Sequence, residues 1–149
     1  MRAISPLQGN SKVVKNAYIC SRIEETMAQH NEFGRTGEDY AADYLRGNGY
    51  FIRDRNWRTG HKELDIVAEK DNELIIVEVK TRRTTLYGHP VDAVSSLKIR
   101  KTVLAAEAYV RYFKLDMKIR FDVVTVVGSE PNMKIEHIED AFRSPVWYK

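Results

Sequence analysis

The sequence predicts an α/β fold, a mixed central sheet flanked by helices, and three observations lead there. Strand-length runs rich in β-branched residues alternate with two longer segments whose apolar residues fall at helical spacing. Gly, Asn and Asp clusters separate them, giving the order α-β-β-β-α-β-β. A chain of 149 residues, 43% hydrophobic and 30% charged, holds one core and has no room for a second.

Asn31 caps a first helix running to Arg46, where Gly47-Asn48-Gly49 breaks it. Ala41, Ala42 and Leu45 form its apolar face, and the same arithmetic puts Gly34 and Glu38 there. A carboxylate on a core-facing stripe is the first local inconsistency. Phe51 to Trp57 reads as a strand with Arg53 and Arg55 on one face. Glu63 to Glu69 and Leu74 to Lys80 are two more, joined by the polar turn Lys70-Asp71-Asn72-Glu73. Pro90 to Phe113 is helical, with Ser95 or Ser96 capping its long part. Its stripe is Ile99, Val103, Ala106, Val110 and Phe113, opposite a basic opening of Lys98, Arg100 and Lys101. Ile119 to Val127 is a strongly apolar strand, and Met133 to Ile138 adds an edge strand.

Residues 1–28 fit this pattern poorly and are read as a leader or tail, leaving 29–149 as the single domain. Val13, Val14, Ala17 and Tyr18 would line a short helix that Gly9, Asn10 and Ser11 bound badly. Translation is expected to begin at Met27, and no signal-peptide order precedes it. The formal charge of +3 falls to +1 without Arg2, Lys12, Lys15, Arg22, Glu24 and Glu25. A nucleic-acid argument must therefore rest on where charges sit. No apolar run approaches the ~18 residues of a membrane span. The single cysteine, Cys20, excludes an intramolecular disulfide and fits a reducing cytoplasm. His30, His61, His89 and His137 lack metal-ligand spacing, which argues against zinc.

The chemistry gathers on the central hairpin. A turn centred between Asp71 and Asn72 sets Glu69 opposite Leu74, and so Asp65 opposite Glu78 and Glu63 opposite Lys80. Period two places Glu63, Asp65, Glu78 and Lys80 on one face, with Leu64, Ile66, Val77 and Val79 on the other. Like charges opposed across a ladder are destabilising. A hard divalent cation resolves the conflict, since Mg²⁺ takes one or two carboxylates together with phosphate oxygens. The competing reading is a Glu63–Lys80 ion pair on a solvated sheet face. The spacing Asp-x(10–20)-[Asp/Glu]-x-Lys alone arises roughly once by chance in such a chain. Its context, on adjacent strands beside Glu38, sets it apart.

Several ordered motifs together resemble the YraN-like family within the PD-(D/E)XK nuclease superfamily, similar to archaeal Holliday-junction resolvases. They are Gly34-Arg35-Thr36-Gly37-Glu38, Arg55-Asn56-Trp57-Arg58, Glu63-Leu64-Asp65-Ile66, Val77-Glu78-Val79-Lys80-Thr81-Arg82 and Arg120-Phe121-Asp122-Val123. The resemblance implies a restriction-endonuclease-like αβββαβ core and covers nearly all of Glu32 to Val127. It departs at Lys62, where the family usually has Gly, with His61 before it, so the loop near the site is bulkier. It implies that Asp65 and Glu78 ligate Mg²⁺ or Mn²⁺, with the Val79 carbonyl a further ligand. Lys80 would hold or activate the attacking water, Glu38 would complete the site directly or through a water, and Glu63 would orient Lys80.

Arg53, Arg55, Arg58, Arg82 and Arg83 lie around the hairpin and suit phosphate contacts that carry no base readout. Lys98, Arg100 and Lys101 oppose a helix dipole, a small cost that hints at a phosphate track. Trp57 is expected to pack under the sheet and Asp122 to pair with Arg120. The expected function is a metal-dependent endonuclease on DNA, with branched DNA favoured by the resemblance. Its rival is a non-catalytic nucleic-acid-binding module that keeps the fold. Symmetric junction cutting calls for a homodimer. No membrane partner and no small-molecule cofactor are expected.

Overall fold

A computed structural model describes residues 36–83 and 94–144, and the backbone of 15–18. Cys20, Met27, His30, Asn31, Gly34, Arg35, His89 and Pro90 lie outside the described residues. The elements are β1 (Lys15–Tyr18), α1 (Gly37–Gly47), β2 (Phe51–Thr59), β3 (Lys62–Lys70), β4 (Glu73–Arg82), α2 (Ser96–Phe113), β5 (Lys118–Val127) and β6 (Lys134–Phe142). They form one mixed sheet in the order β1-β6-β5-β4-β3-β2. Among the described strands only β4 and β5 run parallel, and α2 makes the crossover that parallel neighbours require. This is a restriction-endonuclease-like α/β core.

The helices cover opposite faces. Tyr40, Ala41 and Leu45 of α1 pack on Ile66, Ala68, Ile75, Val77, Val124 and Val126. Val103, Ala106 and Tyr109 of α2 pack on Leu64, Val67, Leu74, Ile76 and Phe121. The strands between the two layers are apolar on both faces, as a doubly covered sheet demands.

Several boundaries differ from the sequence reading. The first helix begins at Gly37, because Thr36, in extended conformation, caps it in a reciprocal box with Asp39. Ser95 caps α2 through the Lys98 N–H, and a left-handed Lys114 ends it. Its buried stripe is rotated to Thr102, Val103, Ala105, Ala106 and Tyr109, leaving Phe113 partly exposed. The segment expected as a short helix around Ala17 and Tyr18 is instead the strand β1, antiparallel to β6. With β1 on one side and β5 on the other, β6 is not an edge strand.

Arg53 and Arg55 do not share a face. The β2–β3 ladder slips a register between Ile52 and Asp54, a bulge that turns the two arginines apart. Arg53 reaches Tyr109 on α2 at 3.2 Å, and Arg55 reaches Asp39 on α1 at 2.8 Å. Trp57 packs edge-on against Tyr109.

Candidate functional site

The register read from the turn holds for the first five rungs, from Lys70 opposite Glu73 to Ile66 opposite Val77. Asp71 and Asn72 both have positive φ, the conformation of a two-residue turn that fixes hairpin register. The ladder then stops. Asp65 Oδ2 accepts the Val79 N–H at 2.8 Å, a donor that a continuing ladder would have used. β4 stays paired with β5 as far as Arg82, and β3 with β2 as far as Lys62, so the sheet parts between β3 and β4. The side-chain alternation breaks at the same point. Leu64 packs in the α2 layer, whereas Ile66, Val77 and Val79 belong to the α1 layer, so Leu64 does not share their face as period two required.

Two buried carboxylates lie where the strands part. Asp65 is 9% exposed and Glu78 is 3% exposed, which removes the reading of a solvated sheet face. Glu78 Oε1 meets Lys80 Nζ at 2.8 Å, and its Oε2 meets Lys98 Nζ at 3.3 Å. The expected Glu63–Lys80 contact is replaced. Once the strands diverge, Lys80 turns to Glu78 and Glu63 pairs with Arg58 at 3.3 Å. Burial, and then the Glu78 charge, push Asp65 up to about 6, against the Val79 N–H and Lys98, which favour its anion. Burial opposes the charge on Lys98, but Glu78 and Asp65 hold its ammonium above the ordinary value.

Glu38 sits in the first turn of α1, whose start is drawn hard against β4. A Cβ on Gly37 would lie 1.9 Å from Thr81 Oγ1, so any larger residue would force Thr81 or the helix start to shift. From there the Glu38 charge adds to the rise of Asp65. Among the described residues, however, no three His, Cys, Asp or Glu side chains converge as a metal-binding group. The structure brings together Asp65, Glu78, Lys80 and Lys98, with Glu38 at the margin. Two hard carboxylates at the mouth of a splayed hairpin fit a Mg²⁺- or Mn²⁺-type donor set. Thr125, directly across the ladder from Lys80, has a buried hydroxyl with no hydrogen-bond partner among the described residues. It is a polar atom that sequence spacing gave no reason to notice.

The remaining cations are dispersed. Arg53 is held by Glu69 and Tyr109, about 16 Å along α2 from Lys98. Arg55 is paired with Asp39, and Arg58 is 73% exposed beside Glu63. Arg82 closes β4, and Arg83, Arg100 and Lys101 are exposed. Lys62 pairs with Thr59 at the end of the β2–β3 hairpin. Asp122 pairs with Arg120 as expected, and it also meets the buried His137 at 2.8 Å. A cavity of about 440 Å³ lies at the far ends of β4 and β5, around Glu73, Lys118 and Arg120. Its cations already face Glu73 and Asp140, so it does not compete as the site.

The chain matches the Uncharacterised protein family UPF0102 over residues 37–126, more than half its length. It belongs to that family. The UPF0102 match contains Glu38, Asp65, Glu78, Lys80 and Lys98. The UPF0102 protein of Phocaeicola vulgatus is 55% identical over 81% of this chain and 100% of its own. That of Bacteroides thetaiotaomicron is 54% identical with the same coverage, and that of Flavobacterium psychrophilum is 46% identical over 78% of this chain and 98% of its own. Among the described residues of this UPF0102 chain, no helix is long and apolar enough to cross a membrane.

Proposed function

We propose that this protein is a metal-dependent endonuclease that hydrolyses phosphodiester bonds in DNA, with branched DNA as its favoured substrate. The supporting observation is the Asp65–Glu78 pair, buried where β3 leaves β4 and flanked by Lys80 and Lys98. A carboxylate driven up to about 6 by burial, and then by the charge of its neighbour, is a poor structural element and a suitable cation ligand.

Asp65 and Glu78 would hold Mg²⁺ or Mn²⁺, with the Val79 carbonyl as a further ligand and Glu38 acting directly or through water. Such a cation lowers the pKa of water and offsets charge on the scissile phosphate. Lys80, half-buried on the central strand, orients the attacking water and stabilises charge that develops on the phosphoryl oxygens. The water oxygen bonds to phosphorus as one P–O ester bond breaks. The exposed Arg58, Arg83, Arg100 and Lys101 would contact backbone phosphates, where they position without reading bases. A homodimer and a cytoplasmic location go with this reading.

The test is calorimetric titration of Mg²⁺ and Mn²⁺ into the full chain and Asp65→Ala, with both assayed on a labelled four-way junction and a matched linear duplex. The expected result is metal uptake and metal-dependent junction cutting, both lost in the variant. Junction binding with neither uptake nor cutting would instead support a non-catalytic binding module. That second reading draws on one observation: lysines already occupy both Glu78 oxygens.

A further inference from the structure

The two lysines on Glu78 are not equivalent. Lys80 shares a central strand with Glu78 and makes the shorter contact, 2.8 Å against 3.3 Å for Lys98. Lys98 comes from a different element, the first turn of α2, across the layer boundary. Its backbone is fixed, because its N–H donates to the Ser95 cap at 3.2 Å. Its side chain is about a third exposed, on a flexible stem beside the exposed Leu97 and Arg100. No acidic residue shares that first turn, so no partner there holds it back. A cation at this position also works against the helix dipole, a cost that the site carboxylates offset.

We infer that Lys98 is the built-in counter-cation of the site, holding Glu78 until a divalent cation displaces it and then passing to a phosphate of the bound nucleic acid. This rests on the metal-dependent reading above. In the free protein the charge of Lys98 spans one Glu78 oxygen and the field of Asp65, while Lys80 holds the other Glu78 oxygen, and a divalent cation would compete for the oxygen that Lys98 holds. Lys98 therefore lowers metal affinity, and it adds to nucleic-acid affinity only when metal is present.

The experiment titrates Mn²⁺ calorimetrically into the full chain as wild type, Lys98→Met, Lys98→Gln and Lys98→Arg, without nucleic acid. The neutral variants should bind Mn²⁺ about tenfold more tightly than wild type, and Lys98→Arg should stay near wild type. In EDTA the neutral variants should melt lower than wild type, and Mn²⁺ should raise their melting temperature by more. Binding to a four-way junction with non-hydrolysable linkages gives the third readout. With Mn²⁺, loss of Lys98 should reduce the slope of log K against log salt by about one. Without Mn²⁺ the slope should not change. Unchanged or weaker Mn²⁺ binding by both neutral variants would overturn the inference, as would a slope change independent of metal. Failure of the underlying reading looks different: wild type itself takes up no Mn²⁺, and the inference falls with it.

Discussion

At the residue scale, two buried aspartates on neighbouring parts of one sheet respond to pH in opposite senses. Burial and Glu78 raise Asp65 to about 6, from 3.8 in the unfolded chain. The folded state then binds the proton more tightly, so this contribution is full below about pH 4 and is lost as pH rises through 6. Burial also works against the Asp122 anion, but hydrogen bonds from His137 and Arg120 win and hold it below 3.8. Its stabilisation is present above that value and lost on acidification. In EDTA, the stability of wild type relative to Asp65→Asn should therefore fall between pH 4 and 6, as followed by melting temperature. A flat difference would show that the folded state does not hold the Asp65 proton more tightly than the unfolded chain. The identities of both aspartates were legible from the sequence, one by its pairing with Glu78 and the other by its spacing from Arg120. His137 was not, because its partnership with Asp122 crosses between β5 and β6 and leaves no local spacing to read.

At the element scale, the hairpin shows how far a turn can be read. Asp71 and Asn72 determine the register next to the turn, and five rungs follow from it. The sixth fails because a side-chain oxygen takes the Val79 N–H, a substitution that no residue pattern announces. Bulges hide in the same way: one extra residue at Arg53 reverses the side to which the following cations point. The contact between α1 and β4 is more demanding. Gly37→Ala should drive the first helical turn away from Thr81, costing about 1–3 kcal/mol in chemical denaturation. Thr81→Ala should recover part of that loss in the double variant, since it removes Oγ1 and leaves Cβ. Metal affinity should follow the same order if Glu38 contributes to the site from that turn. Equal affinity in all three proteins would confine Gly37 to packing.

At the scale of the whole molecule, the candidate site belongs to the middle of the sheet and β1 to its margin. β1 pairs with β6, and β5 separates β6 from β4. A chain beginning at Met27 should accordingly retain the Mn²⁺ affinity of the full chain within about twofold, a change worth under 0.5 kcal/mol. A larger loss in calorimetry would mean that the margin supports the centre. The crossing from α2 to Glu78 is the part of the site that only the assembled layers disclose, because Lys98 and Glu78 are joined by packing and not by sequence spacing. The opposite margin, β2, carries a different consequence. Among the described residues it is an outer strand, and such a strand invites another chain to add itself by backbone hydrogen bonding. Here that strand is kinked by its bulge, twisted again by a left-handed Asn56, and carries the largely exposed Arg58 near its end. The features that disperse its arginines also make it a poor template for sheet growth, and so protect the protein from forming fibrils through that edge.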